Sequence, residues 1–113
     1  MYDLEERTYQ FAKDVAIFIK KIPKTTANIE YSKQVIRSSG SVGANYIEAN
    51  ESLSKKDFNM RIKICRKEAK ETSYWLKLLV ETNNEDLSIV GVKLIRESDE
   101  LKKIFSAIIE KSK

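Results

Sequence analysis

The sequence predicts an all-α fold, an antiparallel up-down four-helix bundle that residues 1–113 form as a single domain. Glycine and proline total only four of 113 residues, which leaves too little turn chemistry for the many hairpins of a β-sandwich or barrel. Apolar residues recur at spacings of three and four along most of the chain, as on one face of a helix. The breaks between these periodic stretches are short, so consecutive helices must lie side by side and antiparallel.

The first helix is predicted over about residues 3–22. Its first turn is acidic and its last turn holds two lysines, the order that the helix macrodipole favours. Pro23 lacks an amide hydrogen and must end the helix. The inward-facing positions are Leu4, Thr8, Phe11, Val15, Phe18 and Ile22.

The second helix is predicted over about residues 27–51, with Thr25, Thr26 or Asn28 as its N-cap. Residues 38–44 contain two glycines and three serines, and each glycine costs about 1 kcal/mol against alanine inside a helix. This cost predicts that a neighbouring backbone or ring packs close to the glycines. A phosphate-binding glycine loop is the weaker alternative, because its motif and the preceding strand are both missing. The stripe of this helix is Val35, Ile36, Ser39, Val42, Tyr46 and Ile47.

The third helix is capped by Ser52 or Ser54 and runs to about Thr82, and its stripe alternates four and three without interruption. That stripe is Phe58, Ile62, Cys65, Ala69, Thr72, Leu76 and Leu79. Asn83 and Asn84 form the next turn, and the fourth helix continues to about Lys111 with Gly91 as a weak point. Its apolar positions are Leu87, Val90, Leu94, Leu101, Ile104, Phe105 and Ile108.

Several kinds of chemistry are excluded by residue type. The chain has no histidine, so the usual zinc, haem and histidine-dependent triad sites lose their ligand or base. Cys65 is the single cysteine, which rules out an internal disulfide framework, and at a core position it is expected to be a small buried apolar residue. We therefore predict no enzyme activity, catalytic residue, metal or cofactor. The acidic N-terminus and the absence of a long uncharged stretch predict a cytoplasmic protein without membrane contact.

The outer face of the third helix is strongly basic. Residues 55–77 hold eight basic and three acidic side chains, whereas the whole chain has a net charge of only +4. A stripe of this kind can neutralise phosphates of RNA or DNA, and Tyr74 on the same side offers a ring for base stacking. The alternative is a solvated outer face of an ordinary bundle. The predicted nucleic-acid-binding residues are Lys56, Lys63, Arg66, Lys67, Lys70 and Lys77.

The opposite flank of the third helix carries additional apolar residues, Ile64, Trp75 and Leu78. The helix is thus apolar over more than half of its circumference, which indicates either subunit contacts or very deep burial. We predict that these three residues lie at a subunit interface.

The same flank carries Glu68 and Glu71, which are costly to bury without a cation and hydrogen-bond donors. Polar residues along one side of the second helix can supply them. We predict a mostly buried structural network in which Arg37 pairs with at least one carboxylate. Acid/base catalysis is the weaker alternative, and a di-metal bundle site would require Glu-x-x-His motifs. The predicted network comprises Gln34, Arg37, Ser41, Asn45, Glu48, Glu68 and Glu71.

Segments 34–49, 54–58 and 67–76 together resemble one protein family. With the opening residues Leu4, Arg7, Thr8, Phe11 and Ala12, they resemble the bacterial four-helix-bundle proteins encoded by intervening sequences in 23S ribosomal RNA genes. Many members have Gly-Ser where this chain has Lys67-Glu68. The resemblance implies a homopentamer. The chain is also similar to the accessory protein of diversity-generating retroelements, a basic pentameric bundle that binds nucleic acid and a reverse transcriptase.

Two functional hypotheses follow. The first is an oligomeric accessory protein that binds RNA or DNA through phosphate contacts without reading bases. The second is a protein-protein scaffold or adaptor without a nucleic-acid ligand, whose charged exterior only keeps it soluble. The expected partners are copies of the same chain in either case.

Overall fold

A computed structural model describes residues 3–113, and Met1 and Tyr2 at the acidic N-terminus lie outside the described residues. The predicted all-α four-helix bundle is confirmed. A short 3-10 turn at Glu85–Leu87 precedes the last helix, and the body measures 45 × 24 × 20 Å. The helices are α1 (Leu4–Ile19), α2 (Thr26–Asn50), α3 (Lys55–Glu81) and α4 (Ser88–Lys111).

Side-chain contacts show the relative direction of α2 and α3. Arg37 of α2 reaches Glu71 of α3, and further along the same pair Asn45 reaches Arg61. The residue numbers rise in one helix as they fall in the other, so the two helices are antiparallel.

Side-chain caps start three of the helices. The Thr25 hydroxyl accepts a hydrogen bond from the Asn28 amide at 3.2 Å, and the Ser54 hydroxyl accepts one from the Asp57 amide at 3.1 Å. Asp3 caps α1 in the same way through the Glu6 amide. Each cap satisfies a backbone donor that the first helical turn leaves unpaired. Among the predicted alternatives, Thr25 and Ser54 are the caps.

The end of α1 comes three residues earlier than predicted. After Ile19 the chain tightens, and the Lys21 and Ile22 amides donate to the carbonyls of Phe18 and Ile19 at 3.0 and 3.1 Å. Ile22 nevertheless remains buried. The apolar spacing therefore continues through this turn although the helix does not.

The core follows the predicted stripes of α1 and α3, where every position is buried except Phe58, which is half-buried. Three predictions are wrong. Ile36, Ile47 and Val90 are partly exposed, at 43%, 49% and 38%. In α2 each isoleucine stands next in sequence to a residue that packs inward, and the bundle accommodates only one of the two. In α4, Gly91 takes the inward position beside Val90.

Two of the glycines lie at close approaches between helices. A Cβ added to Gly43 would stand 2.9 Å from the Thr8 hydroxyl oxygen of α1, and one added to Gly91 would overlap Val80 and stand 3.2 Å from the Phe18 ring. A close approach is confirmed at Gly43, although the neighbour is the Thr8 side chain and not the backbone or ring that was predicted. The prediction is wrong for Gly40, where a Cβ would meet nothing within 4 Å.

Candidate nucleic-acid interface

The lysine row, defined as Lys56, Lys63, Lys70 and Lys77, runs along the solvent side of α3, and all four side chains are exposed. Successive members are seven residues apart, which is two turns or about 10.5 Å of helix. The full row is thus about 31 Å long and shifts by about 20° around the helix at each step. Lys67 is exposed on the same face, and Arg66 is half-buried beside it.

The lysine row is not neutralised within the chain. Across residues 3–113, none of the six predicted nucleic-acid-binding cations has a carboxylate within salt-bridge distance. Glu68 and Glu71 of the same helix instead face α2, where they pair with Arg37. Asp57 lies in the first turn of α3, where its backbone amide binds the cap. The lysine row thus lies on the outer face of α3, whereas Glu68 and Glu71 lie on its α2 side.

An aromatic cluster adjoins the lysine row near the C-terminal end of α3. Tyr74 is 59% exposed, and its ring meets Trp75 edge to face at a centroid distance of 5.0 Å. Trp75 in turn packs against Tyr31 of α2 at 6.0 Å, and its indole N–H donates to Glu71 at 3.4 Å. These contacts restrain Tyr74 while leaving much of its ring in solvent.

At the opposite end of the row, Met60 is 54% exposed among lysines. It lines a shallow depression of about 550 Å³ together with Lys55, Lys56, Asn59 and Lys63. The basic face therefore offers an apolar contact at each end.

The predicted polar network divides into two parts. In the first, Arg37 contacts Glu71 and lies 3.3 Å from Glu68. The Glu68 side chain is only 10% exposed, but the Arg37 side chain is 49% exposed, so this part is not mostly buried as predicted. Arg37 therefore contacts a mostly buried carboxylate while much of its own side chain stays in solvent.

The second part of the network connects α2 with α3 through Asn45. Its amide nitrogen donates to the Ser41 hydroxyl at 2.9 Å, and its amide oxygen accepts from Arg61 at 3.0 Å. The sequence prediction did not assign Arg61 to the network, although it stands seven residues before Glu68 on the same flank. Among the described residues, the Gln34 and Glu48 side chains are exposed and bond to no other member.

Ile64, Trp75 and Leu78 are half-buried in the single chain. A more exposed apolar surface, which the sequence prediction missed, lies on α2. This α2 stripe consists of Ile29, Ile36 and Ile47, which share one helix face with Gly40 and are 40–49% exposed. In the sequence, Ile29, Ile36, Gly40 and Ile47 are spaced by 7, 4 and 7 residues. That spacing is equally typical of a buried helix face, so it did not reveal that these residues are exposed.

The structure provides little for covalent or metal chemistry. Cys65 is fully buried, and desolvation raises the pKa of its thiol to about 12. Within residues 3–113, no group of three or more Cys, Asp or Glu side chains is placed to hold a metal ion. None of the helices in that range has the length and apolar composition needed to cross a bilayer.

Comparison with known proteins gives a consistent assignment. The family model described as 23S rRNA-intervening sequence protein matches residues 2–107. A crystal structure of a protein of unknown function from the S23 ribosomal protein family of Bacteroides thetaiotaomicron is 31% identical, with a TM-score of 0.82. The likeness covers 95% of this chain and 98% of that one. No curated protein matches the sequence.

Proposed function

The chain belongs to the family of 23S rRNA-intervening sequence proteins, and from that premise we propose that it is a non-enzymatic cytoplasmic protein that binds RNA or DNA through the outer face of α3. The single observation that supports this proposal is the unneutralised lysine row. Binding of this kind is electrostatic and releases counterions from the phosphate backbone. Because lysine acts as a point charge, the row favours phosphates over particular bases.

The proposal includes self-association, with five subunits as the family resemblance implies. The α2 stripe supports it. Its isoleucines are 40–49% exposed, and covering them with a second copy of the chain removes apolar surface from water, which stabilises the assembly. Gly40 supports it independently. No neighbour within the described chain requires a glycine there, so its helix-propensity cost is explained by close approach of another subunit.

The alternative function is a protein scaffold, with a reverse transcriptase or another protein as partner. The same α2 stripe favours this alternative, since an exposed apolar surface can receive a foreign helix as well as a second copy. The two functions differ in what the lysine row does: it contacts phosphates in the first and only solvates the surface in the second.

Two charge-matched variants distinguish these functions. The first replaces Lys56, Lys63 and Lys70 by glutamine, and the second replaces Lys13, Lys24 and Lys93, which are exposed elsewhere on the molecule. Both variants lower the net charge by the same amount. Binding to labelled RNAs of unrelated sequence is measured by fluorescence anisotropy over a range of salt concentrations.

The proposal predicts that the α3 variant weakens binding to all RNAs by similar factors. The slope of log affinity against log salt falls by about 0.9 per lost contact on duplex and about 0.7 on single strands. In the control variant, the RNA affinity and the salt dependence should change much less. Equal effects of the two variants would mean that net charge alone governs binding. If the parent protein binds no RNA or DNA even at low salt, the nucleic-acid function is contradicted and the scaffold function is favoured.

A further inference from the structure

We propose that Tyr74 is a stacking platform for an unpaired base, so that the α3 surface selects single-stranded over double-stranded nucleic acid. This inference rests on the proposed function and names the form of its ligand. It is carried by the position of one exposed, restrained ring within the lysine row.

Tyr74 lies on the same helix face as the lysine row. Lys70 precedes it by four residues and Lys77 follows by three, which places these cations about 6 Å and about 4.5 Å away along the helix axis. Both side chains are exposed. A base on the tyrosine ring would thus have a lysine on either side for its two flanking phosphates.

The ring is restrained as well as exposed. Its edge-to-face contact is with Trp75, and Trp75 in turn packs on Tyr31 of α2, so one side of the tyrosine ring rests on a side chain that is itself packed. A ring that is already positioned loses little conformational freedom when a base stacks on it. Tyr9, on α1, is comparably exposed at 65%, but no aromatic contact holds it within the described residues.

Two physical reasons favour a single strand. Bases in a duplex are already stacked on their neighbours, so presenting one to Tyr74 would require it to be unpaired and unstacked. A duplex backbone also winds away from a straight helix, whereas a flexible strand can follow the lysine row over its full length. Stacking on an aromatic ring tolerates any base, which agrees with the lack of a base-reading motif.

The test compares Tyr74→Ala and Tyr74→Phe with Tyr9→Ala as a matched control. Each is titrated at low salt against an oligouridylate of about 12 nucleotides, an abasic strand of the same length and charge, and an RNA duplex of the same length. Tyr74→Ala should weaken binding to the oligouridylate by about 5- to 140-fold and leave the abasic strand and the duplex within about twofold. Tyr74→Phe and Tyr9→Ala should bind all three probes as the parent does.

Fluorescence of Trp75, the only tryptophan, gives a second readout: it should change on binding the oligouridylate and not on binding the abasic strand. The inference is overturned if Tyr74→Ala binds the oligouridylate as tightly as the parent, or loses affinity for the abasic strand equally, while the proposed function stands. If the parent binds none of the probes at low salt, both fail together.

Discussion

Cys65 shows how strongly the environment of one residue determines its chemistry. The thiol is fully buried in α3, and desolvation raises its pKa to about 12 because the thiolate has no solvent around it. We expect no reaction of native Cys65 with Ellman's reagent at mildly alkaline pH and full reaction in denaturant. Rapid labelling of the native protein would contradict the buried position.

The same raised pKa links Cys65 to stability. The folded chain holds the proton more tightly than the unfolded chain, so this contribution is complete below the unfolded thiol pKa and is lost as the pH rises toward the folded value. The parent should therefore lose stability above pH ~9 more steeply than Cys65→Ala, which lacks this titration. Denaturant melts of both proteins at neutral and alkaline pH measure the difference, and parallel pH profiles would contradict it.

Arg37 is the cation on which the Glu68 and Glu71 carboxylates depend. Its removal leaves the mostly buried Glu68 carboxylate without a cation. Because the Arg37 side chain is half exposed, water can take its place and partly solvate that carboxylate. Arg37→Ala should lower the free energy of unfolding by about 1–3 kcal/mol, less than the 3–5 kcal/mol typical of breaking a fully buried pair.

Lys33→Ala provides the control on the same helix. It removes an exposed pair with Glu30 and should cost under about 1 kcal/mol. Thermal melts compare the two variants. A loss from Arg37→Ala no larger than that of Lys33→Ala would mean that Glu68 needs no cation.

At the scale of helices and turns, one amide pair joins both loops at an end of the bundle. Asn28 and Asn83 donate to each other's side-chain oxygens, each at 2.9 Å, and Asn28 also donates to the Pro23 carbonyl. Asn28 is buried, and its loss removes the donor to the Asn83 side-chain oxygen, although the Asn83 amide nitrogen still donates to the Leu79 carbonyl at 2.8 Å. Asn28→Ala should cost about 1–3 kcal/mol.

Asn50→Ala is the matched control, because Asn50 also makes a long-range side-chain hydrogen bond through its amide, from α2 to α1, but to an exposed Glu5. It should cost less than about 1 kcal/mol. Chemical denaturation of both variants gives the comparison. Equal losses would show that burial does not strengthen the Asn28 pair.

The Asn28–Asn83 pair could not be predicted from the sequence, unlike the helices themselves. The helices were predictable because the spacing of apolar residues and the caps are local properties, and the stripe of α3 was correct almost throughout. Which partner an asparagine finds 55 residues away depends on how the loops meet, and the sequence indicated only a cap and a turn. The bidentate bond between Arg7 and Glu97, which joins α1 to α4, was not foreseen for the same reason.

The candidate site was only partly predictable. The lysine row followed from heptad spacing, and the structure places all four side chains on the exposed face. The division of the polar network and the role of Arg61 required side-chain geometry. Periodicity also could not tell the exposed α2 stripe from a core stripe, because both show helical spacing and differ only in which way the helix is turned.

For the whole molecule, the expected consequence of these surfaces is assembly. Gly40 lies open on the face that carries the α2 stripe, so an added methyl group disturbs nothing within the described chain. Gly40→Ala should raise the helix propensity of α2 by about 1 kcal/mol and at the same time shift the protein toward smaller species if a subunit packs there. Light scattering coupled to size-exclusion chromatography reads the shift, and an unchanged mass would place the interface elsewhere.

The most direct test of the central proposal is analytical ultracentrifugation of the protein with and without a labelled RNA at low and high salt. We expect a protein mass several-fold above the 13.1 kDa of one chain under all conditions, with the RNA cosedimenting at low salt and released at high salt. A 13.1 kDa species that persists at micromolar concentration would contradict the assembly, and RNA that sediments alone at low salt would contradict nucleic-acid binding.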